Sequence, residues 1–237
     1  MGEHGQYRAL VMRGAAIAIL VAVLATPAGA ACRLALMLAL DVSASVDRNE
    51  DILQRQGLAR ALLAPEVADA FLSQADQPVM LSVFEWSGRY DQEELLGWTE
   101  LASPGDIAAA AQALGNSKRG RDDSPTALGY ALGHAAVAFR DGPACRQRTL
   151  DVSGDGRNNE GFHPFQAYKN FPFDGITVNG LAIGNADEGI VDYYYHELIR
   201  GPGAFVEHAV NFEEFEAAMR RKLLRELQIV IGMNTHQ

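Results

Sequence analysis

The sequence predicts an α/β domain built on a doubly wound, mostly parallel sheet. Apolar runs typical of strands alternate along the chain with segments that begin at helix-capping residues. The first run, residues 34–40, is apolar without interruption, which is typical of a strand covered by helices on both faces. In such sheets, ligands bind at the carboxyl ends of the strands, so the loops that follow them are the places to search for function.

The first strand and the first helix have the clearest signals. The strand ends at Asp41, and Asp47 followed by Glu50 forms a capping box that starts a helix running to about Ala64. Four apolar residues are expected to share the buried face of this helix: Ile52, Ala59, Leu62 and Leu63.

The middle of the chain predicts two strands and two helices. A second strand covers residues 79–86, and a third, at about 95–101, returns antiparallel at the edge of the sheet. Ser103-Pro104 and Ser124-Pro125 each combine a capping residue with proline at the first helical position, so each predicts a helix start.

The last part of the chain predicts strands at residues 147–152 and 176–183 and a short sixth strand at 204–207. Asn211 with Glu214 caps a final helix. The buried stripe of that helix is predicted to consist of Phe212, Phe215, Met219, Leu223 and Leu227. The prediction is therefore six strands flanked by helices.

Composition excludes several classes of function. Hydrophobic residues make up 48% of the 237 residues and charged residues 21%, as expected for a globular protein. The formal net charge of −10 argues against nucleic acid or an anionic membrane surface as the main partner. No internal repeat or long linker divides residues 31–237, so we expect a single domain there.

The N-terminus, residues 1–30, has the pattern of a secretory signal peptide. Arg8 and Arg13 precede an apolar segment, and Ala28-Gly29-Ala30 supplies the small residues that signal peptidase requires. Cleavage after this triplet and a periplasmic or secreted location are expected. The alternatives are an uncleaved membrane anchor, for which the apolar run is short, and a lipid on Cys32, for which the usual bulky residue three places earlier is missing.

Oxygen-bearing side chains follow two of the predicted strands. Asp41-Val42-Ser43-Ala44-Ser45 places a carboxylate and two hydroxyls on one loop, and Ser153-Gly154-Asp155-Gly156 ends the fourth strand at the same edge. Thr126 lies in the predicted first turn of the helix after Ser124-Pro125. Such oxygens are hard ligands, suited to Mg²⁺, Mn²⁺ or Ca²⁺. Each residue alone would more often cap a loop or satisfy a turn. Jointly they form a candidate metal site of Asp41, Ser43, Ser45, Thr126 and Asp155.

These residues resemble the metal-ion-dependent adhesion site of the von Willebrand factor A (vWA) domain family. The family pattern is Asp-x-Ser-x-Ser, a distant Thr, and an Asp after the fourth strand, and the chain matches each position. It departs where family members often carry Gly before the Thr, because Ser124-Pro125 stands there. Ser124 is then a helix cap, the role we expect, or an extra ligand. The resemblance extends from about Leu34 to Leu227. Residues 83–87 and 201–205 also resemble a group of uncharacterised exported bacterial vWA-like proteins.

The resemblance implies a six-stranded sheet in the order 3-2-1-4-5-6, with strand 3 antiparallel at the edge. It implies one bound divalent cation, Mg²⁺ by preference, with Mn²⁺ or Ca²⁺ as alternatives. Because Mg²⁺ takes six oxygen ligands, an Asp or Glu carboxylate from a partner protein or peptide could replace a water and complete the shell. Binding to that partner would then be lost on chelation.

The two cysteines lie at similar distances before the two aspartates. Cys32 is nine residues before Asp41, and Cys145 is ten before Asp155. If the aspartates end neighbouring parallel strands, as the implied sheet order requires, the cysteines lie level at the opposite end of the sheet. We expect a disulfide between them in an exported protein, worth on the order of 4 kcal/mol. Two unpaired buried thiols are the alternative.

The expected function is metal-dependent protein–protein interaction, without catalysis. A serine hydrolase would need a Gly-x-Ser-x-Gly nucleophile elbow, which the sequence lacks. The histidines show no spacing typical of a catalytic triad or a zinc site. A phosphoryl-transfer enzyme with an Asp nucleophile would usually carry a second acid where Ser43 stands. The alternatives are a metal-dependent hydrolase and a metal-free structural or interaction domain.

Overall fold

The structure, a computed structural model, describes residues 1–2, 32–74, 76–121, 123–184 and 189–234, without the side chains of 229–234. The predicted signal peptide, residues 1–30, lies almost wholly outside the described residues. The strands are β1 (Leu34–Asp41), β2 (Val79–Trp86), β3 (Gln92–Leu101), β4 (Gln147–Gly154), β5 (Ile176–Ile183) and β6 (Val206–Ala209). The helices are α1 (Arg48–Leu63), α2 (Pro65–Leu72), α3 (Pro104–Asn116), α4 (Leu128–Arg140), α5 (Pro164–Asn170), α6 (Ile190–Tyr193) and α7 (Phe215–Asn234). A π-helical turn (Tyr194–Leu198) follows α6, and a 3₁₀ turn (Phe212–Glu214) precedes α7.

The sheet has the predicted strand order, β3-β2-β1-β4-β5-β6. β3 pairs antiparallel with β2 at one edge, and the other neighbouring pairs are parallel. Strand order reverses between β1 and β4, where Leu40 pairs with Ser153. The residues that follow these two strands therefore leave the sheet side by side, at the switch point where doubly wound proteins bind ligands.

Strand β1 is buried on both faces, as its apolar sequence predicts. Leu34, Leu36, Leu38 and Leu40 belong to a core that includes residues of α1, α2, α3 and α7. The alternate residues of β1 belong to a second core with α4, α5 and α6. Two helical layers therefore fix the strand from both sides. No helix within the described residues is long and apolar enough to cross a membrane.

The predicted capping box of α1 is present. Glu50 N donates to Asp47 Oδ1 over 2.9 Å, and Asp47 N donates to Glu50 Oε2 over 2.7 Å. Asn211 likewise accepts from the backbone N of Glu214 and starts the last helical segment. The five-residue stripe predicted for that segment is buried throughout.

The buried face predicted for α1 was half wrong. Leu62 and Ala59 are buried, but the side chains of Ile52 and Leu63 are about half exposed, at 51% and 52%. The polar residues Gln54 and Arg55 are buried in their place. They can occupy this face because hydrogen bonds and ion pairs satisfy their polar atoms.

The predicted disulfide is present between Cys32 and Cys145, whose Cα atoms are 4.7 Å apart. It links the starts of β1 and β4, at the end of the sheet opposite Asp41 and Asp155. Arg146 N also donates to Cys32 O over 3.0 Å, so a backbone hydrogen bond supports the same junction.

A buried charge cluster attaches α7 to the sheet. Lys222, fully buried, lies 3.0 Å from Asp151 Oδ1 on β4 and 3.0 Å from Glu226 Oε1. The contact with Asp151 is an ion pair without hydrogen-bond geometry, since neither Asp151 oxygen has a hydrogen-bond partner. Asn179 Nδ2 donates to Glu226 Oε1 over 2.8 Å. One ammonium therefore lies between two buried carboxylates and supplies the only positive charge among these three groups.

Replacement of Lys222 by methionine should destabilise the fold strongly. Lys222→Met keeps much of the side-chain volume but leaves Asp151 and Glu226 without their cation, at an expected cost of about 3–5 kcal/mol in the free energy of unfolding. Urea denaturation would measure it, with Lys169→Met on the exposed surface of α5 as the control. A loss below about 1 kcal/mol would contradict this account of the cluster.

Candidate metal site

The five predicted ligands converge at the carboxyl edge of the sheet. Ser45 Oγ donates to Asp155 Oδ1 over 2.7 Å, and the Oγ atoms of Ser45 and Ser43 are 3.1 Å apart. Thr126 Oγ1 donates to Ser43 Oγ, also over 3.1 Å. Side chains from three separate loops are therefore linked in one continuous chain of oxygen atoms. Asp41 lies at the start of the loop that carries Ser43 and Ser45.

Asp41 is the most deeply buried member, with no exposed surface. Its Oδ1 accepts a hydrogen bond from Ser43 N over 2.8 Å, which fixes the turn after β1. Its Oδ2 is buried and has no hydrogen-bond partner. A buried carboxylate oxygen without a partner is costly, because desolvation is uncompensated. This oxygen is the clearest structural sign that the loop is built to meet another group.

The Thr126 loop differs from the predicted helix start. α4 begins at Leu128, so Thr126 lies before the helix and not in its first turn. Ser124 is not a cap, because its Oγ donates to Asp91 Oδ2 over 2.7 Å. Its carbonyl accepts from Ala44 N over 2.8 Å and so joins this loop to the Asp41 loop. The prediction failed because these two tertiary contacts engage Ser124 outside a helix, and α4 starts four residues later.

Two asparagines after Asp155 position the Thr126 loop. Asn159 Oδ1 accepts from Thr126 N over 2.8 Å, and Asn159 N donates to Thr126 O over 2.9 Å. Asn158 Oδ1 accepts from Gly129 N over 3.1 Å. It therefore caps the N-terminus of α4 from a distant part of the chain. From their place after Asp155, the sequence predicts a solvated loop at the rim of the site for these residues, and it does not predict their hydrogen bonds to the Thr126 loop and α4.

Two further residues brace the Asp41 loop. Gln54 Nε2 on α1 donates to Asp41 O over 3.0 Å. The Arg119 guanidinium donates to the carbonyls of Val42, Ser43 and Val46 over 2.6, 3.0 and 2.6 Å. Arg119 is far from this loop in sequence, and no local motif marks it. Only the fold brings it there.

Tyr194 lies against the buried side of the site. A Cβ at Gly154 would come within 2.6 Å of both Asp41 Oδ2 and Tyr194 OH, so only glycine fits at the end of β4. The Tyr194 hydroxyl is buried and, like Asp41 Oδ2, has no hydrogen-bond partner. Tyr194 opens the π-helical turn, and such irregular turns are frequent at functional sites.

The charges at the site repel one another. Burial, and then the neighbouring carboxylate of Asp155, raise the pKa of Asp41 to about 7, although Arg119 acts in the opposite direction. Burial also raises the pKa of Asp155, against the hydrogen bond from Ser45. Burial, followed by the charge of Asp41, raises the pKa of Tyr194. A positive charge between the two aspartates would favour their ionised forms.

The donor set fits a hard divalent cation. It offers two carboxylates and three hydroxyls, all of them oxygen ligands. Among the described residues, no group of three or more His, Cys, Asp or Glu side chains is placed to hold a metal. The site is therefore distinct from an imidazole, thiolate or all-carboxylate centre, because hydroxyls supply most of its donors.

The stability of the protein without added metal should depend on pH through Asp41. The folded state binds the Asp41 proton up to about pH 7, whereas the unfolded chain releases it near its ordinary pKa of 3.8. The free energy of unfolding should therefore fall as pH rises from about 4 to about 7, by on the order of 3 kcal/mol from this group. Asp151, whose pKa burial also raises to about 7, adds a fall in the same direction.

Urea denaturation in the presence of chelator, at several pH values, would measure the effect. Asp41→Asn removes the titrating group with little change in shape and should flatten the dependence by the contribution of Asp41 alone. Equal pH slopes for the variant and the parent protein would contradict the raised pKa of Asp41.

The fold is that of vWA domains. Proximal thread matrix protein 1 from the mussel byssus superposes with a TM-score of 0.61 at 15% identity over 83% of this chain and 48% of its own. Its form with a zinc-occupied MIDAS motif gives 0.57 at 14% identity, with the same coverage. A von Willebrand factor type A protein from Catenulispora acidiphila gives 0.59 at 15% identity, over 83% of this chain and 43% of its own.

These likenesses concern the fold, and the chain spans less than half the length of each of these neighbours. No curated protein matches the sequence significantly. A family model, described as a protein of unknown function (DUF1194), matches residues 31–231 and so most of the chain. The chain therefore belongs to the DUF1194 family, and it carries that family's sequence on a vWA fold.

Proposed function

We propose that this protein binds one divalent cation, Mg²⁺ by preference, through Asp41, Ser43, Ser45, Thr126 and Asp155, and uses it to bind a carboxylate of another protein or peptide. The observation that carries the proposal is the convergence of five oxygen-bearing side chains beside an unpartnered, buried Asp41 oxygen. The mussel byssus neighbour with a zinc-occupied MIDAS motif supports a metal at this place in the fold.

The charges of the site favour an adhesive role. The two carboxylates balance one divalent cation, and the hydroxyls of Ser43, Ser45 and Thr126 add ligands without adding charge. When bound, the ion would supply an electrophilic position that an acidic side chain of a partner can occupy. The chain's own part is to hold the hydroxyls and carboxylates in place, through Gln54 and Arg119 behind the loop.

A catalytic role has less support. In the described part of the chain, no histidine forms a hydrogen bond or an ion pair with any of the five residues, and the carboxylate beside Ser45, that of Asp155, is itself a proposed metal ligand. The hydroxyls of Ser43, Ser45 and Thr126 bond to one another and to Asp155. A hydrolase with a side-chain hydroxyl as its nucleophile would need one of them free to attack a substrate.

We also infer that the protein works outside the cytoplasm, in the periplasm or secreted, as one domain from residue 31 onward after cleavage of residues 1–30. The Cys32–Cys145 disulfide supports this location, because such bonds persist in oxidising compartments. The first cysteine lies two residues after the proposed cleavage point, so the mature chain would keep the whole bridge.

Calorimetric titration with Mg²⁺, Mn²⁺ and Ca²⁺ tests the metal site. We expect saturable binding near one ion per chain, lost when Asp41→Asn and Asp155→Asn are combined, because the ion then has no charged ligand. The control combines Asp69→Asn with Asp192→Asn, which removes the same charge from exposed positions. If the Asp41→Asn, Asp155→Asn variant still bound the ions, or if the control lost binding equally, the assignment of the metal site would be contradicted.

Tyr194 should contribute to metal binding as a positioning residue. Its hydroxyl lies beside Asp41 Oδ2 and could donate to the ionised carboxylate, so Tyr194→Phe should weaken the affinity for the metal about tenfold. The neighbouring Tyr195, 60% exposed, provides the matched control Tyr195→Phe. The same titration measures both variants, with urea denaturation in chelator to compare their folds. Unchanged metal affinity in Tyr194→Phe would exclude this role.

A further inference from the structure

A basic cleft adjoins the candidate metal site. It is a cavity of about 620 Å³ between the start of α1 and the segment at residues 117–121, which follows α3. Ala44 and Val46, the neighbours of Ser45, form one of its walls. The cleft therefore begins at the loop that carries three of the five candidate ligands.

The side chains that line this cleft are mainly cationic. Its basic residues are Arg48, Arg55, Lys118, Arg119 and Arg121, against Asp47 and Asp51. Asp51 and Glu85 both pair with the buried Arg55, Asp91 pairs with Arg121 over 3.3 Å, and the Asp47 carboxylate caps α1. Exposed Arg48 and Lys118 have no ion-pair partner among the described residues. The positive charge of the cleft therefore comes from Arg48, Lys118 and Arg119.

Arg119 fixes part of that charge at the junction of the cleft and the metal loop. Its guanidinium is held by three carbonyl groups of the loop and by Arg121 O, and none of these neutralises it. Its charge reaches Asp41, where it opposes the rise in pKa. An anion in the cleft and a carboxylate at the metal site would therefore be near neighbours.

The overall charge of the protein makes this cleft distinctive. With a formal net charge of −10, most of the surface repels acidic partners. A positive cleft beside a site proposed to take a carboxylate complements a segment that carries several acidic side chains. A segment with a single Asp or Glu and no other acidic residue would leave Arg48 and Lys118 without an anionic partner.

From this juxtaposition we infer that the partner is an acidic protein segment. One of its carboxylates binds at the metal site, and neighbouring Asp or Glu side chains lie in the basic cleft beside Arg48 and Lys118. The inference rests on the proposed function for its first contact and adds the chemical class of the partner. The cleft contacts are solvent-exposed, so their contribution to the affinity for the partner should weaken as the salt concentration rises.

Two synthetic peptides test the inference. One carries a single Asp in a Gly/Ser background, and the other carries the same Asp flanked on each side by three Glu residues. Fluorescence anisotropy with Mg²⁺ at low ionic strength would give their affinities for the full protein, with and without chelator. We expect the acidic peptide to bind at least about tenfold tighter than the single-Asp peptide.

Matched variants assign that advantage to the cleft. The double variant that combines Arg48→Gln with Lys118→Gln should bind the two peptides with similar affinity. Arg140→Gln with Lys169→Gln removes the same charge from exposed positions on α4 and α5 and should keep the advantage. Equal affinities for the parent protein, or an advantage retained in the cleft variant, would overturn the inference.

The chelator separates this inference from the proposed function. Single-Asp binding that is lost on chelation, without any gain from the Glu residues, would support the metal site and reject the cleft. A Glu-dependent gain that persists in chelator and is lost in the cleft variant would support the cleft and reject the metal-bound carboxylate. Absence of binding by either peptide would reject both.

Discussion

The parallel pairing of β1 with β4 is the constraint on which the rest of the structure depends. Their backbone hydrogen bonds set Leu40 beside Ser153, so the residues that follow each strand emerge together. The same pairing places Cys32 and Cys145 together at the opposite end, where the disulfide holds the register. Because a one-residue slip would turn every side chain to the other face, the pairing fixes the orientation of Asp41 as well as its position.

Asp41 has an unfavourable environment that the fold maintains through its surroundings. Its carboxylate is buried, faces Asp155 and leaves one oxygen without a hydrogen-bond partner. Gln54 and Arg119 hold the surrounding backbone, and a hydrogen bond from Ser43 holds the other oxygen. A buried carboxylate with a raised pKa and an unpartnered oxygen is typical of a site arranged for a ligand. In an ordinary core, the group would be paired or replaced by a neutral one. The buried carboxylates of Asp151 and Glu226, in contrast, have a cation of the protein itself, Lys222, within 3.0 Å.

The residues that sequence analysis missed share one property: their roles depend on contacts with distant parts of the chain. Arg119 reaches the loop at residues 42–46, and Tyr194 reaches Asp41 from a π-helical turn. Ser124 had the local signature of a helix cap, but Asp91 and Ala44 engage it instead. Propensity and capping rules describe preferences of the local backbone, and a few tertiary hydrogen bonds can override them. For the same reason, polar Gln54 and Arg55 replaced two apolar residues on the buried face of α1.

The sequence by itself determined the fold class, the six strands and the five oxygen-bearing residues, because hydrophobic periodicity and short motifs are local properties of the chain. The resemblance to vWA domains supplied the strand order, and the structure has that order. Only the tertiary structure decided which groups surround those five residues: the two asparagines that hold Thr126, the unpartnered oxygen of Asp41, and the basic cleft beside the loop. Burial and charge neighbours arise when distant segments pack together, and no local pattern encodes them.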